Sequence, residues 1–164
     1  MTKIFNNILT FIVDNQNFGL PIEYVQYVLH SAEIRAIPEV NPILYGLFDY
    51  HGEIIPVINL RRRLGLGEKP ISVDDHFVLV TKNDQSYILV VDEVSEVYST
   101  TEGEVVRKHF AVPSKQKDSD VDAGLELMIF KKEQLGVVLI YDLGKLINTE
   151  IELNVKDALK KLMN

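Results

Sequence analysis

Cysteine is absent from these 164 residues. That absence excludes disulfides, zinc–thiolate sites and thiol catalysis. Alanine is scarce, with five copies against 19 valines and 16 isoleucines. Helix-rich chains lean on alanine and strand-rich chains on β-branched residues, so the ratio points to β structure. Positive charge is in deficit: 17 Lys and Arg stand against 24 Asp and Glu, a net charge of -7. An acidic chain has no bulk attraction for a phosphate backbone or an anionic lipid surface, which argues against nucleic-acid binding. Long apolar runs are missing as well. The first one, Ile8 to Val13, is too short for the core of a signal peptide, and a spanning helix needs about 20 apolar residues. The expectation is a cytoplasmic chain without membrane insertion.

What is present reads as a folded domain. Apolar residues make up 46% and charged residues 25% of the chain, the balance of a globular protein. The length suits one ordinary domain or two very small ones. Ile8 to Val13 reads as a strand, Asp14 to Asn17 as a turn, and Phe18-Gly-Leu as the returning strand. Ile22, Val25, Val28 and Leu29 after Pro21 recur at helical spacing and predict one or two turns of amphipathic helix. Ile34 to Pro42 is expected to run extended between its prolines. Leu44 to Phe48 and Glu53 to Ile58 read as strands about a His51-Gly52 turn, with Pro56 marking an edge or a bulge. Leu60 to Leu64 is a basic helical turn closed by Gly65.

The second half repeats this order. Phe77 to Thr81 and Tyr87 to Val91 are strands about the turn Lys82 to Ser86. Val94 and Val97 sit at helical spacing, and Val105 and Val106 lie in an extended segment. Leu125 to Phe130 and Leu135 to Ile140 form a hairpin. Asp142-Leu143 opens a short turn ending near Ile147, and Val155, Leu159 and Leu162 mark an amphipathic C-terminal helix. Phe18 to Leu29 aligns with Tyr87 to Tyr98 at an offset of 69, pairing Leu20 with Leu89, Val25 with Val94 and Val28 with Val97. Asn59-Leu60 matches Asp142-Leu143 at an offset of 83. The polar stretch Pro113 to Gly124 is long enough to account for the difference and is expected to be a surface loop. Two similar β units, about 8–65 and 77–147, with a helical tail over 148–164, are the expected organisation. Phe11, Leu20, Val57, Leu89, Val91, Leu127 and Leu139 are the expected joint core.

No motif in the sequence marks a catalytic site. His30, His51, His76 and His109 share no metal-ligand spacing. Asp74-Asp75-His76 reads as a solvated turn. Asp118, Asp120 and Asp122 resemble the start of a calcium loop, but its glycine and bidentate glutamate positions hold Ala123 and Ile129. No nucleophile elbow, Walker loop or dinucleotide fingerprint is present. Arg61-Arg62-Arg63 is the one basic cluster, either a solvated helical face or a patch for an acidic protein. A non-enzymatic module that presents surfaces, with no cofactor, is the expectation; an unrelated β-barrel enzyme would need a site that the motifs do not supply.

The residues resemble the CheW family, the adaptors that couple bacterial chemoreceptors to the histidine kinase CheA. The resemblance runs from about Ile8 to Ile147. It is carried by Gly46-Leu-Phe-Asp-Tyr-His-Gly-Glu-Ile-Ile-Pro-Val-Ile-Asn-Leu-Arg-Arg-Arg-Leu-Gly65, by Val90-Val-Asp-Glu-Val-Ser-Glu-Val97, by Phe18-Gly-Leu-Pro-Ile22 and by Leu139-Ile-Tyr-Asp-Leu-Gly-Lys-Leu-Ile147. It implies an all-β fold of two small five-stranded SH3-like barrels on a shared core, with short helical turns and a C-terminal helix. It also implies two partners, the CheA regulatory domain and the cytoplasmic tip of a methyl-accepting chemoreceptor, at membrane receptor arrays. The implied receptor-groove residues are Val25, Val28, Gly46, Asp49, Tyr50, His51, Gly52 and Ile54.

One motif departs. The family turn Asn-x-Arg-Gly is here Asp49-Tyr50-His51-Gly52. Histidine cannot replace a permanently charged, forked arginine donor, and Asp49 adds an acid where the family has an amide. The departure leaves an alternative open: a divergent CheW-like accessory protein that binds the kinase or array but not ordinary receptors.

Overall fold

The computed structural model describes residues 6–38, 40–111 and 124–163, with side chains left aside at 107–111, 124–127 and 163. The first half carries β1 (Asn7–Val13), β2 (Gln16–Pro21), β3 (Val25–His30), β4 (Leu44–Tyr50), β5 (Glu53–Ile58) and the helical turn α1 (Leu60–Leu64). The second half carries β6 (His76–Lys82), β7 (Gln85–Val91), β8 (Glu93–Ser99), β9 (Glu104–Ala111), β10 (Gly124–Lys132), β11 (Gly136–Ile140) and α2 (Leu143–Leu146). The terminal helix α3 (Thr149–Met163) follows.

Three of the hairpins close through two residues with positive φ: Asp14 and Asn15 at 52° and 60°, His51 and Gly52 at 52° and 91°, Asn83 and Asp84 at 50° and 63°. This backbone matches the right-handed twist of paired strands, and Asn, Asp, His and Gly adopt it most readily. The polar turns expected over Asp14 to Asn17 and Lys82 to Ser86 are therefore tighter, their outer residues continuing the strands.

The offsets of 69 and 83 hold along the whole element order. Asn7 and His76 open β1 and β6, and Gln16 and Gln85 open β2 and β7; Leu60 and Leu143 open α1 and α2. The two sheets, however, are not the two halves of the chain. One has the order β8-β1-β2-β11-β10-β9 and the other β3-β6-β7-β5-β4. Each half thus gives its first hairpin to the other half's sheet. The seams are short parallel pairings, Leu139 and Ile140 beside Phe18 and Gly19, and Val57 and Ile58 beside Ile88 and Leu89. Among the described residues the sheets hold six and five strands rather than five each. The sixth is β9; Arg35, its counterpart at the offset of 69, makes only an isolated bridge to Leu47.

Both sheets curl. Tyr27 on edge strand β3 meets Tyr50 on the opposite edge β4 at 6.1 Å between ring centroids. In the other sheet, Tyr98 of β8 lies 6.3 Å from the Phe130 ring of β10 and under the Lys132 ammonium at 4.2 Å. The curl gives each sheet a private interior and leaves a third core between the two. Ile55, Val57, Phe77, Leu79, Ile88 and Val90 fill one interior, and Ile8, Met128, Phe130, Val138 and Ile140 fill the other. Phe11, Phe18, Leu20, Val78, Val80, Leu89 and Val91 belong to the shared core. β7 shows why its sequence is an unbroken apolar run: Tyr87, Leu89 and Val91 face the shared core while Ile88 and Val90 face inward. A strand buried on both faces has no polar face to alternate with. Of the expected joint core, Phe11, Leu20, Leu89 and Val91 are buried in it and Leu139 packs against it partly buried; Val57 is buried in the interior of its own sheet instead, and Leu127 lies outside the described side chains.

Two expected helices are strands. Val25 to Leu29 lies in β3, and Val94 and Val97 lie in β8. The cause is a bulge in each. Val25 and Val28 sit opposite Val80 and Val78, so three steps on β3 match two on β6. Val94 and Val97 sit opposite Phe11 and Leu9 in the same way. One extra residue returns an i, i+3 pair to one face, which imitates helical spacing. At the second bulge, Thr10 Oγ1 donates to the Glu96 carbonyl at 2.7 Å and accepts from the Glu96 amide at 3.2 Å, occupying backbone groups the ladder leaves open.

Pro56 is also placed differently. β5 lies inside its sheet, between β7 and β4. Its pairing to β7 begins at Val57, so proline stands just before that ladder, and the register shift falls in β4 between Leu44 and Gly46. Helix α3 buries Ile151, Val155 and Ala158 on the shared core. Its first turn carries Glu150 and Glu152 and its last Lys160 and Lys161, which suits the helix dipole.

Candidate functional site

The β4–β5 hairpin is the centre of the expected site. Asp49 Oδ1 accepts a hydrogen bond from the Gly52 amide at 2.8 Å, holding the turn closed. An asparagine Oδ1 at this position would accept the same bond, so the acid differs from the family amide in charge and not in this geometry. His51 is exposed in the left-handed region, and its ring meets the Tyr50 ring edge to face at 4.5 Å. Tyr50 stacks on Phe48 at 6.3 Å and touches Tyr27 at 6.1 Å, so an aromatic row joins the turn to edge strand β3.

Strand alternation divides the hairpin between two surfaces. Phe48 and Tyr50 pack toward the interior of their own sheet. Leu47 and Asp49, with Ile54 paired opposite Asp49, face the other way. There they line a cavity of about 440 Å³ with Arg35 and with Leu159 and Leu162 of α3.

Val25 and Val28 stand on the face of β3 that fronts the shared core, opposite Val78 and Val80. Val25 packs against that core, and Val28 remains 41% exposed. β8 offers the same pair on the other sheet: Val94 packs on the shared core and Val97 is 51% exposed. Val94 and Val97 were absent from the expected site. The offset of 69, which equates them with Val25 and Val28, was the signal that points to them.

Gly46 does not join this surface. It is buried, and a Cβ there would stand 2.2 Å from the Arg35 carbonyl oxygen. It is the residue that lets the segment around Arg35 cross β4, where Arg35 and Leu47 exchange backbone hydrogen bonds of 2.8 and 2.9 Å.

Two of the three clustered arginines, Arg61 and Arg63, are engaged within the molecule. Arg61 Nη2 reaches Asp92 at 2.6 Å, and Asp92 also accepts from the Asp14 amide at 2.8 Å, so one guanidinium ties the β1–β2 turn to the β7–β8 corner. Arg63 donates to the carbonyls of Leu146 and Lys145, both at 2.8 Å, and so caps the end of α2. Burial pushes its guanidinium below the ordinary arginine value, with the Tyr141 and Glu150 charges pulling the other way. Arg62 pairs with Glu68 at 2.6 Å. A solvated face describes Arg62, which is exposed, but not Arg61 or Arg63, and none of the three is a free basic patch. Asp75 also departs from a solvated turn: it is buried, and its carboxylate accepts from Lys69 Nζ and the Ser72 amide, both at 2.7 Å. The loop expected over Pro113 to Gly124, with Asp118, Asp120 and Asp122, lies outside the described residues but for Gly124.

Comparison with known proteins gives one answer. The family model of the CheW-like domain matches residues 7–150. The chemotaxis protein CheW of Bacillus subtilis is 27% identical over 119 residues, covering 73% of this chain and 74% of that protein. CheW of Treponema pallidum is 26% identical over 102 residues, 60% of each chain. Among solved structures, the scaffolding protein TtCheW of Thermoanaerobacter tengcongensis superposes with a TM-score of 0.67 at 26% identity, covering 90% of this chain and 96% of that one.

Proposed function

We propose a function on a premise that is itself plain: the chain belongs to the CheW-like domain family. It is a coupling adaptor of bacterial chemotaxis and works by presenting surfaces, not by catalysis. One partner is the cytoplasmic tip of a methyl-accepting chemoreceptor and the other is the regulatory domain of the histidine kinase CheA. The adaptor works in the cytoplasm, on the periphery of membrane receptor arrays. The observation that carries this reading is the continuous family match over residues 7–150.

The receptor tip takes the apolar rim of the shared core, through Val28 beside Val25 on one sheet and Val97 beside Val94 on the other. Val28 and Val97 are the exposed members, and covering a half-exposed valine contributes roughly 1 kcal/mol. The hairpin turn borders the same strand through the Tyr27–Tyr50 contact. The kinase domain takes strand edges elsewhere.

The turn supports a second reading, a CheW-like accessory protein that binds the kinase but not ordinary receptors. His51 supplies no permanent charge where the family carries arginine, and Asp49 places a carboxylate beside it. Separate pull-downs with a receptor cytoplasmic fragment and with the kinase regulatory domain decide between them. Capture by both supports the adaptor, capture by the kinase domain alone supports the second reading, and capture by neither contradicts both.

A further inference from the structure

Two of the four histidines face each other across a strand pair. His30 ends edge strand β3 and His76 opens β6, and the two are directly paired in the antiparallel register. Their ring centroids are 5.1 Å apart, with the rings tilted by 40°. We propose that His30 and His76 form a two-histidine binding site for a first-row transition-metal ion of the Zn²⁺, Ni²⁺ or Cu²⁺ class.

The spacing fits the chemistry. Metal–imidazole bonds of ~2.1 Å at tetrahedral angles place two ligating ring centroids roughly 5 Å apart. Imidazole is a borderline donor that suits these ions and not Mg²⁺ or Ca²⁺. Among the described residues, the Nδ1 atom of His76 is buried and has no hydrogen-bond partner. An imidazole nitrogen in that state carries a cost that coordination removes, because a metal ion takes the lone pair without requiring a proton.

The frame is already held. Beyond the pair, the Ser31 amide donates to the Asp75 carbonyl at 3.0 Å and Ser31 Oγ donates to the Ser72 carbonyl at 2.7 Å. The end of the β3–β6 ladder is therefore fixed from both sides, and two ligands on fixed strands lose little freedom on binding. The adjacent Asp75 carboxylate is engaged by Lys69 and the Ser72 amide. Among the described residues no group of three or more metal-capable side chains forms, so water fills the remaining coordination positions. His30 is exposed, which gives the ion its way in. Because β3 is, among the described residues, an edge strand paired only to β6, a bound ion clamps that edge to the sheet. This inference does not depend on the adaptor function.

The test uses the full chain without an affinity tag. Zn²⁺ alone, then Ni²⁺ alone, is titrated by calorimetry, and the thermal midpoint is read with and without the ion. One ion per chain and a raised midpoint are expected, since an ion that binds only the folded state stabilises it. His30→Ala, at an exposed position, should weaken binding at least tenfold. His76→Gln, which keeps a polar side chain at the partly buried position, should do the same. Ni²⁺ should broaden the imidazole proton signals of His30 and His76 together. No saturable binding, or binding that survives both substitutions, overturns the site.

Discussion

Gly46→Ala separates a structural glycine from a contact residue. The expected site included Gly46, yet its surroundings assign it to the crossing of β4 by the segment around Arg35. An added Cβ would meet the Arg35 carbonyl oxygen at 2.2 Å and the Ala36 Cα at 3.1 Å, both backbone atoms that cannot rotate away. The φ of 153° adds conformational strain of about 1–3 kcal/mol for any residue with a side chain. Relief of the clash must separate Arg35 from Leu47, which breaks two backbone hydrogen bonds worth ~0.5–1.5 kcal/mol each. Together the substitution should cost about 2–6 kcal/mol, and at ~2–4 °C per kcal/mol the thermal midpoint should fall by roughly 4–24 °C. Gly52→Ala is the matched control. Its φ is 91°, but among the described residues nothing lies within 4 Å of the new Cβ, so only the strain remains. Urea unfolding of the three proteins, read as midpoint and slope, measures both costs. The reasoning is refuted if Gly46→Ala is within about 0.5 kcal/mol of wild type, the scale of an ordinary surface substitution, or if it costs no more than Gly52→Ala.

Other expectations follow from the same contacts. Arg63→Met keeps the stem but removes the two 2.8 Å bonds that cap α2, and should cost ~2–4 kcal/mol in urea unfolding; an unchanged midpoint would show the cap to be idle. Burial holds the phenols of Tyr45, Tyr87 and Tyr141 above their ordinary value, so the unfolded chain gives up these protons first as pH rises. Their contribution is therefore complete below about pH 10 and lost above it, and Tyr141→Phe should flatten the alkaline decline. In titrations of a receptor fragment, His51→Arg should tighten binding by roughly ten- to a hundredfold, the worth of a charge-assisted contact. Asp49→Asn should add to that gain while keeping the bond to the Gly52 amide. His51→Ala should change little; if it abolishes tight binding, histidine is a native contact in its own right.

Strand content, hairpins and repeat were legible in the sequence because they rest on local signals: β-branched runs, two-residue turns, and an Asn59 or Asp142 before each helical turn. The bulges were not, because an extra residue in an edge strand writes the same i, i+3 spacing as a helix turn, as Val25 and Val28 show. Nor was the exchange of hairpins between the sheets. A repeat says which segments are alike, not which of the two like segments lies alongside. That choice is made by two-residue parallel seams at Phe18 and Val57, too short to mark the sequence. Arg63 was unreadable for a related reason, since its acceptors are backbone carbonyls, which every residue has. The candidate site was half visible: the hairpin turn stood out through its departure from the family motif, while Val94 and Val97 join the proposed surface only when the repeat is carried through.

The central claim is that this chain joins two other proteins. The direct measurement is a three-component sedimentation assay with receptor fragments assembled on vesicles, the kinase regulatory domain in solution, and the chain added in increasing amounts. If the chain is a coupling adaptor, the kinase domain should enter the pellet in proportion to added chain until the receptor sites fill. Joint replacement of Val28 and Val97 by Glu should leave the kinase domain in the supernatant, still bound to the chain. A kinase domain that pellets equally with and without the chain, or never pellets while the chain itself does, would contradict the account.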